Sequence, residues 1–377
     1  MARLARAEVF SPDEVAIVHV MNRVVRRCFL LGTDSLTGKN YDHRKGWIED
    51  LLKRYAASFG IDLLGFAILS NHFHLILRSR PDVVATWSDE EVARRWLLLC
   101  PIRKDDHGNP LEPNQAELDF IQNDPRKLEI IRLRLSDIGW WMRLLCQTVA
   151  MRANHEDHEI GRFWQSRFRA VRLLDEAALV ACAAYVDLNP IRAAIADRLE
   201  TSDYTSVQRR LQTQQNQSEL RNTVSPSDRS PTESKPSRRS VKKTDDARTK
   251  QLSTADRFLA PLPLEERNNG KTGPVASRTG ARCSDTGFLP MTQENYLRLL
   301  RWTAKQLPRE QRTRTSPELK EVLNRLDLNT STWLSLVRKF GKLFYNVAGR
   351  PQTIELTRSR IGQHRHYVRR ETREVFS

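Results

Sequence analysis

An α+β fold is predicted by three observations: a β-branched run near the N-terminus, a helix followed by two adjacent apolar runs, and a late switch to helical periodicity alone. The run Val15–Asn22 (VAIVHVMN) is apolar and β-branched and reads as a strand. Over Lys45–Phe59, residues Trp47, Ile48, Leu51, Leu52 and Tyr55 recur at helical spacing, and Gly60 stops the helix. Leu63–Leu69 and His72–Leu77 flank the polar break Ser70-Asn71 and read as two neighbouring strands. The order β-α-β-β suggests a sandwich of helices on antiparallel strands.

The elements that follow are set by their caps. Ser88-Asp89-Glu90-Glu91 is a capping box ahead of Val92, Trp96, Leu97 and Leu99, and Pro101 ends that helix. Asp124-Pro125 opens another helical stretch, and Asp137–Asn154 carries Trp140, Trp141, Leu144, Leu145 and Val149. Phe168–Leu174 is predicted as a strand. Asp175-Glu176 opens a helix that should end near Asn189, because Pro190 follows. Beyond it, Gln208–Asp256 is rich in Gln, Ser, Thr, Arg and Lys, and no aromatic residue occurs between Tyr204 and Phe258. Such a stretch buries too little apolar area to offset an ordering entropy of roughly 1–2 kcal/mol per residue. The expected organisation is therefore a domain over 1–207 with a helical insertion at about 82–134, a disordered basic linker over 208–285, and a small all-α domain over 286–377. Its predicted helices are Thr292–Leu307, Pro317–Leu326 and Thr332–Phe344.

Charge narrows the function. Among 377 residues, Lys and Arg number 62 against 46 Asp and Glu, a formal charge of +16. A polyanion is the expected partner, nucleic acid first. Hydrophobic content is 39%, below the usual ~45–50%, which agrees with an unfolded segment. The longest apolar runs, such as Leu179–Val186, are far short of the ~18 residues a membrane span needs. The N-terminal sequence turns acidic before an apolar core could form, so neither a membrane nor a secreted protein is expected. Five cysteines without a CxxC pair argue against disulfides or a zinc ribbon and for a reducing cytoplasm.

Two constellations carry candidate chemistry. On a strand, His72 and His74 project to one face while Phe73 and Leu75 project to the other. Two neutral imidazoles converging in this way form half of a metal site, or simply a pair of hydrogen-bonded strand histidines. In Tyr185-Val-Asp-Leu-Asn189-Pro190, a helix stacks a phenol over an amide one turn later. That pair suits a nucleophile and an oxygen ligand, or a half-buried helix residue and a cap before proline.

The combination is more specific than its parts. Met21-Asn22-Arg23, Ser70-Asn-His-Phe-His-Leu75, Gly161-Arg-Phe-Trp-Gln-Ser-Arg-Phe168 and Tyr185-Val-Asp-Leu-Asn-Pro-Ile-Arg-Ala193 occur in this order. Over about residues 12–206 the chain resembles the single-tyrosine HUH transposases, the insertion-sequence and REP-associated tyrosine transposases that act on single-stranded DNA. The resemblance implies a ferredoxin-like antiparallel sheet whose central strand carries the two histidines. It also implies Tyr185 as nucleophile, and Mg²⁺ or Mn²⁺ on His72, His74 and Asn189. Attack by Tyr185 would leave a 5′-phosphotyrosine and a free 3′-hydroxyl, so that strands are rejoined without ATP. The implied partners are single-stranded or hairpin DNA and a second copy of the chain, since compact relatives often assemble their sites across a dimer. The implied place is the cytoplasm, on a bacterial-type nucleoid.

The chain departs from compact members in its long segment Pro81–Arg134, its linker and C-terminal part, and in Asp203-Tyr-Thr-Ser206, a faint echo of the usual WSSY-like element. Arg23, Arg26, Arg162, Arg167 and Arg169 are the candidate DNA contacts. Phe163, Trp164 and Phe168 are either stacking platforms for unpaired bases or core residues. Arg338, Lys339, Lys342 and Arg350 fit a helix-turn-helix-like module or a solvated basic face, and the arginines of the tail (Arg358 to Arg373) fit a nonspecific phosphate-binding arm. Gly270-Lys271-Thr272 lacks the earlier glycine and the strand of a Walker A loop, so no nucleotide cofactor is expected. The rival readings are a domesticated, non-catalytic hairpin-binding protein and an HUH nickase of the replication-initiator or relaxase kind. A carboxylate-triad nuclease is more distant, since no D…D…E set favours it.

Overall fold

The computed structural model describes residues 13–25, 29–30, 32–223, 255–264, 274–307, 316–361 and 368–376. In chain order, β1 is Ile17–Arg23, α1 His43–Ser58, β2 Ile61–Ile68 and β3 His72–Ser79. The insertion follows as α2 (Pro81–Val84), α3 (Asp89–Leu99), α4 (Gln115–Gln122) and α5 (Pro125–Ser136). Then come α6 (Ile138–Asp157), β4 (Arg169–Leu173), α7 (Glu176–Asp187), α8 (Asn189–Arg192) and α9 (Ser206–Thr223). The C-terminal part holds α10 (Gln293–Gln306), α11 (Pro317–Arg325), α12 (Thr330–Leu343), β5 (Val347–Ala348), α13 (Pro351–Ile361) and α14 (Arg370–Phe376).

The sheet order is β2-β3-β1-β4-β5. Its first four strands pair antiparallel throughout, with α1 between β1 and β2 and α6 between β3 and β4, which is the ferredoxin-like arrangement. Two of the helix starts near the sheet are fixed by their caps. Asp137 accepts from the Gly139 amide ahead of α6, and Asp175 from the Ala178 amide ahead of α7, so an orphan N–H of each first turn is satisfied. Ser88 caps α3 as its sequence predicts, but the Glu91 carboxylate is engaged by Arg95 one turn later.

Strand alternation assigns the two sheet faces. Val18, Val20, Phe73, Leu75 and Leu77 join α1, the insertion and α6 in one core. Ile76, Val171 and Leu173 join α7, α9 and the C-terminal helices in the other. Helix α7 explains why the second core exists. Ten of its twelve residues are buried, and a helix apolar on all sides must be covered on all sides. The sheet takes one side of α7, and α12 packs against it from the C-terminal part.

The ends of the segment expected to be a linker are packed rather than free. Helix α9 buries Val207, Arg210 and Leu211, and Phe258, Leu259, Ala260 and Leu262 are also buried. These apolar side chains bracket the polar stretch, and residues 224–254 and 265–273, with Gly270-Lys271-Thr272, lie outside the described residues. Buried Asp62 fastens the later chain: it accepts from Arg78 Nε and Nη2 and from the Ser284 amide and hydroxyl. Part of the expected basic arm is likewise packed, with Thr372 of α14 buried and its hydroxyl donating to the Leu343 carbonyl.

Both edges of the sheet meet later parts of the chain. At β2, the Ala260 amide donates to the Leu63 carbonyl, the Ile68 amide to the Tyr204 carbonyl and the Phe66 amide to Ser206 Oγ. At β4, Val347 and Ala348 pair in parallel with Arg172 and Leu173.

Candidate active site

The site begins with register. Met21 lies opposite His74 and His19 opposite Ile76, so β1 delivers His19 to the face that carries the two predicted histidines. The His19 and His74 rings stack at 5.1 Å, and His19 Nε2 is 2.9 Å from His74 Nδ1. His72 stands edge-on to His74 at 5.1 Å, with its own Nδ1 2.7 Å from Asn71 Oδ1. Burial lowers the pKa of all three. His19 falls to about 3, chiefly by desolvation and then through Arg169; His72 falls to about 4, by desolvation and then through Arg23. His74 lies well below the usual histidine range, again by desolvation first and then through its histidine neighbours. The imidazoles are therefore neutral near pH 7, the form that offers a lone pair.

Tyr185 comes from the opposite layer. Its ring is edge-on to His74 at 5.5 Å and to His19 at 5.9 Å. Phe340 of α12 packs on it at 5.5 Å, and the Arg192 guanidinium lies 4.4 Å from the ring centroid. Gly341 allows α12 this close approach, because a Cβ there would stand 3.3 Å from the Tyr185 hydroxyl. Between Tyr185 and Asn189, buried Asp187 anchors the helix end: it accepts from Ser206 Oγ at 2.6 Å, the Val207 amide at 3.1 Å and Tyr296 Oη at 2.7 Å. Asn189 starts the single turn α8, buried, just past the end of α7.

A cavity of about 250 Å³ opens beside these groups, between His74 and Tyr185 on one side and Lys339, Gly341 and Lys342 of α12 on the other. Its charged lining is entirely Arg and Lys.

His74 Nε2 and Asn189 Nδ2 are buried without hydrogen-bond partners, and unsatisfied buried polar atoms call for a reason. The two ends of a carboxamide exchange by rotation, so Asn189 can present its oxygen. Asn189 makes no hydrogen bond to either histidine. Among the described residues no group of three or more His, Cys, Asp or Glu is arranged to hold a metal, so an amide would have to complete a set with His72 and His74.

The candidate DNA contacts are dispersed. Arg23 is exposed at the end of β1, opposite His72, and Arg162 and Arg167 are exposed on the turn before β4. Arg169 lines the cavity and donates to the carbonyls of Gly341 and Phe344, fastening the end of α12. Arg26 lies outside the described residues. Phe163 and Phe168 are core residues, and half-buried Trp164 donates its indole N–H to the Cys146 carbonyl at 2.7 Å, which leaves little of the three for base stacking. Cys100, Cys146, Cys182 and Cys283, the four described cysteines, form no disulfide. No helix among the described residues is long and apolar enough to cross a membrane.

Three contributors were not assigned a role from the sequence: His19, Arg192, and the approach of α12 to Tyr185. His19 had a signal in the alternation Ile17, His19, Met21. The all-round apolar α7 signalled that something must cover Tyr185.

No protein-family model and no curated protein matches the chain. Among solved structures, a REP-associated tyrosine transposase bound to a REP hairpin overlaps 64% of this chain and 99% of its own, at 11% identity and a TM-score of 0.32. An overlap that loose fixes neither fold nor activity.

Proposed function

We propose that the chain cuts and rejoins single-stranded DNA at hairpin-bearing ends, as a transposase with Tyr185 as its nucleophile. The observation that carries this reading is the packing of Tyr185 against a histidine pair with an unpartnered buried Nε2, beside a cavity whose only charges are positive. His72, His74 and Asn189 would hold Mg²⁺ or Mn²⁺, which when bound polarises the scissile phosphate and offsets its growing negative charge. The rest is done by the chain. His19 accepts from His74 Nδ1–H, which sets the tautomer that leaves His74 Nε2 unprotonated. The rings of His19, His74 and Phe340 hold the phenol in place. Tyr185 Oη forms a bond to phosphorus as the bond to the 3′ oxygen breaks. The phenol loses a proton and the departing 3′ oxygen gains one. The 5′-phosphotyrosine retains one phosphoester bond for the one broken, so an incoming 3′-hydroxyl reverses the step without a nucleotide cofactor.

The test uses the full-length chain, Mn²⁺ or Mg²⁺, and labelled hairpin DNA from the sequence flanking its own gene, resolved on a denaturing gel. A metal-dependent covalent adduct that disappears in Tyr185→Phe and His72→Ala is the expected result. Tight hairpin binding with no adduct in any metal would replace this reading with that of a non-catalytic hairpin binder.

A further inference from the structure

The cations of the cavity fall into two groups. Arg169, Arg192 and Arg338 are committed to backbone carbonyls: Arg169 to Gly341 and Phe344, Arg192 to Arg338, and Arg338 to Gln306. These bonds lock α12 to α8, β4 and α10. Lys339 and Lys342 differ. Both line the cavity, both are exposed, and neither pairs with a carboxylate among the described residues. At i and i+3 they lie on one side of the helix. Between them, Phe340 packs on the Tyr185 ring and Gly341 lies against its hydroxyl, so this stretch of α12 carries both lysines along the side of the cavity that faces the phenol.

An anion is the ligand this lining selects. At about 250 Å³ the cavity is below the ~300–1,000 Å³ of drug-sized sites, a size that suits one phosphodiester of a strand and excludes a duplex. Lysine suits a backbone phosphate because it acts as a mobile point charge and reads no base.

We infer that α12 is a phosphate clamp, in which Lys339 and Lys342 hold the backbone phosphodiester of a single strand over Tyr185. The C-terminal part is then a wall of the active site rather than a separate DNA-binding module. This deepens the strand-transfer reading and rests on it for the identity of the strand.

The experiment measures binding of the full-length chain to labelled single-stranded hairpin DNA across a salt series, together with the rate of adduct formation. The variants are Lys339→Gln/Lys342→Gln and, as a control for charge alone, Arg126→Gln/Arg278→Gln, which also removes two exposed cations. All four side chains are exposed, and unchanged thermal melts verify folding. Each phosphate released from a single strand carries a slope of about 0.7 in log K against log salt, so the lysine pair should lower the slope by about 1.4. The lysine variant should also slow the adduct at saturating DNA, whereas the arginine control should not. If the adduct forms and depends on Tyr185 but the lysine variant matches the control in slope and rate, the clamp is wrong and strand transfer stands. A lowered slope with no adduct in the wild type supports the clamp and overturns strand transfer. No DNA binding by the wild type at any salt overturns both.

Discussion

Replacing Asp187 is predicted to damage the fold in proportion to the donors left without an acceptor. Its carboxylate is 4% exposed and receives Ser206 Oγ–H, Val207 N–H and Tyr296 Oη–H. In Asp187→Ala, the Ser206 hydroxyl can turn to the Phe66 carbonyl 3.3 Å away, which leaves two stranded donors. At about 1–3 kcal/mol for each unsatisfied buried group, the loss should be about 3–4 kcal/mol, reduced somewhat by no longer burying a carboxylate. Asp187→Asn keeps one acceptor oxygen for Ser206 and Val207 and needs only the Tyr296 hydroxyl to reverse, so about 1 kcal/mol is expected. Urea unfolding followed by tryptophan fluorescence at pH 7.5 measures both, with the slope m checked for constancy. If the Ala and Asn variants lie within about 0.5 kcal/mol of each other, the three-way joint does not hold the end of α7, and the reasoning fails.

Gly287→Ala should destabilise by about 1–3 kcal/mol and make the segment around Pro263 sensitive to limited proteolysis, because the new Cβ would fall 1.7 Å from the Pro263 carbonyl oxygen, which is backbone. Unfolding at pH 7.5, 5.5 and 4.5 should show stability falling with acid from about pH 6.5. The depressed pKa values of about 3 for His19 and about 4 for His72 mean that the unfolded chain takes up protons first, so the contribution of these groups is present above 6.5 and lost as pH falls. His19→Gln should flatten that dependence, and an unchanged slope would argue that His19 is not held neutral. Burial shifts Asp187 the opposite way, above the usual carboxylate range, so its folded form keeps its proton to higher pH and its contribution improves on acidification. Asp187→Asn should therefore steepen the net acid loss.

What was legible in the sequence followed from information local to one element. The alternation in His72–Leu77 placed both histidines on one face. The spacing of Tyr185 and Asn189 put a phenol and an amide one turn apart on a single helix, whereas α7 ends at Asp187 and Asn189 opens α8. Caps and prolines set the start of α5 at Pro125 and the end of α7 before Pro190. What was not legible depends on pairing between distant elements. His19 meets His74 only through the β1–β3 register, which the sequence of either strand alone does not state. The two-residue β5 is too short for any periodicity to register, and α9, rich in Gln, Arg and Ser, conceals buried Val207, Arg210 and Leu211 in a polar sequence. The helices of the C-terminal part were expected from their apolar spacing. Their place against Tyr185 follows instead from Gly341, whose missing side chain marks a close approach only once the partner is known.

The two occupied sheet edges impose an order on the life of a newly made chain. A bare strand edge is a template for pairing with another polypeptide. In this molecule the segment that meets the β2 edge centres on Leu259 and Ala260, and the one that meets β4 on Val347 and Ala348, both translated long after the strands they cover. At about 5–20 residues per second, β4 waits on the order of ten seconds for its neighbour to be synthesised. Through that interval the nascent sheet presents an open backbone ladder to other polypeptides emerging nearby. Premature termination ahead of residue 347 would make that exposure permanent.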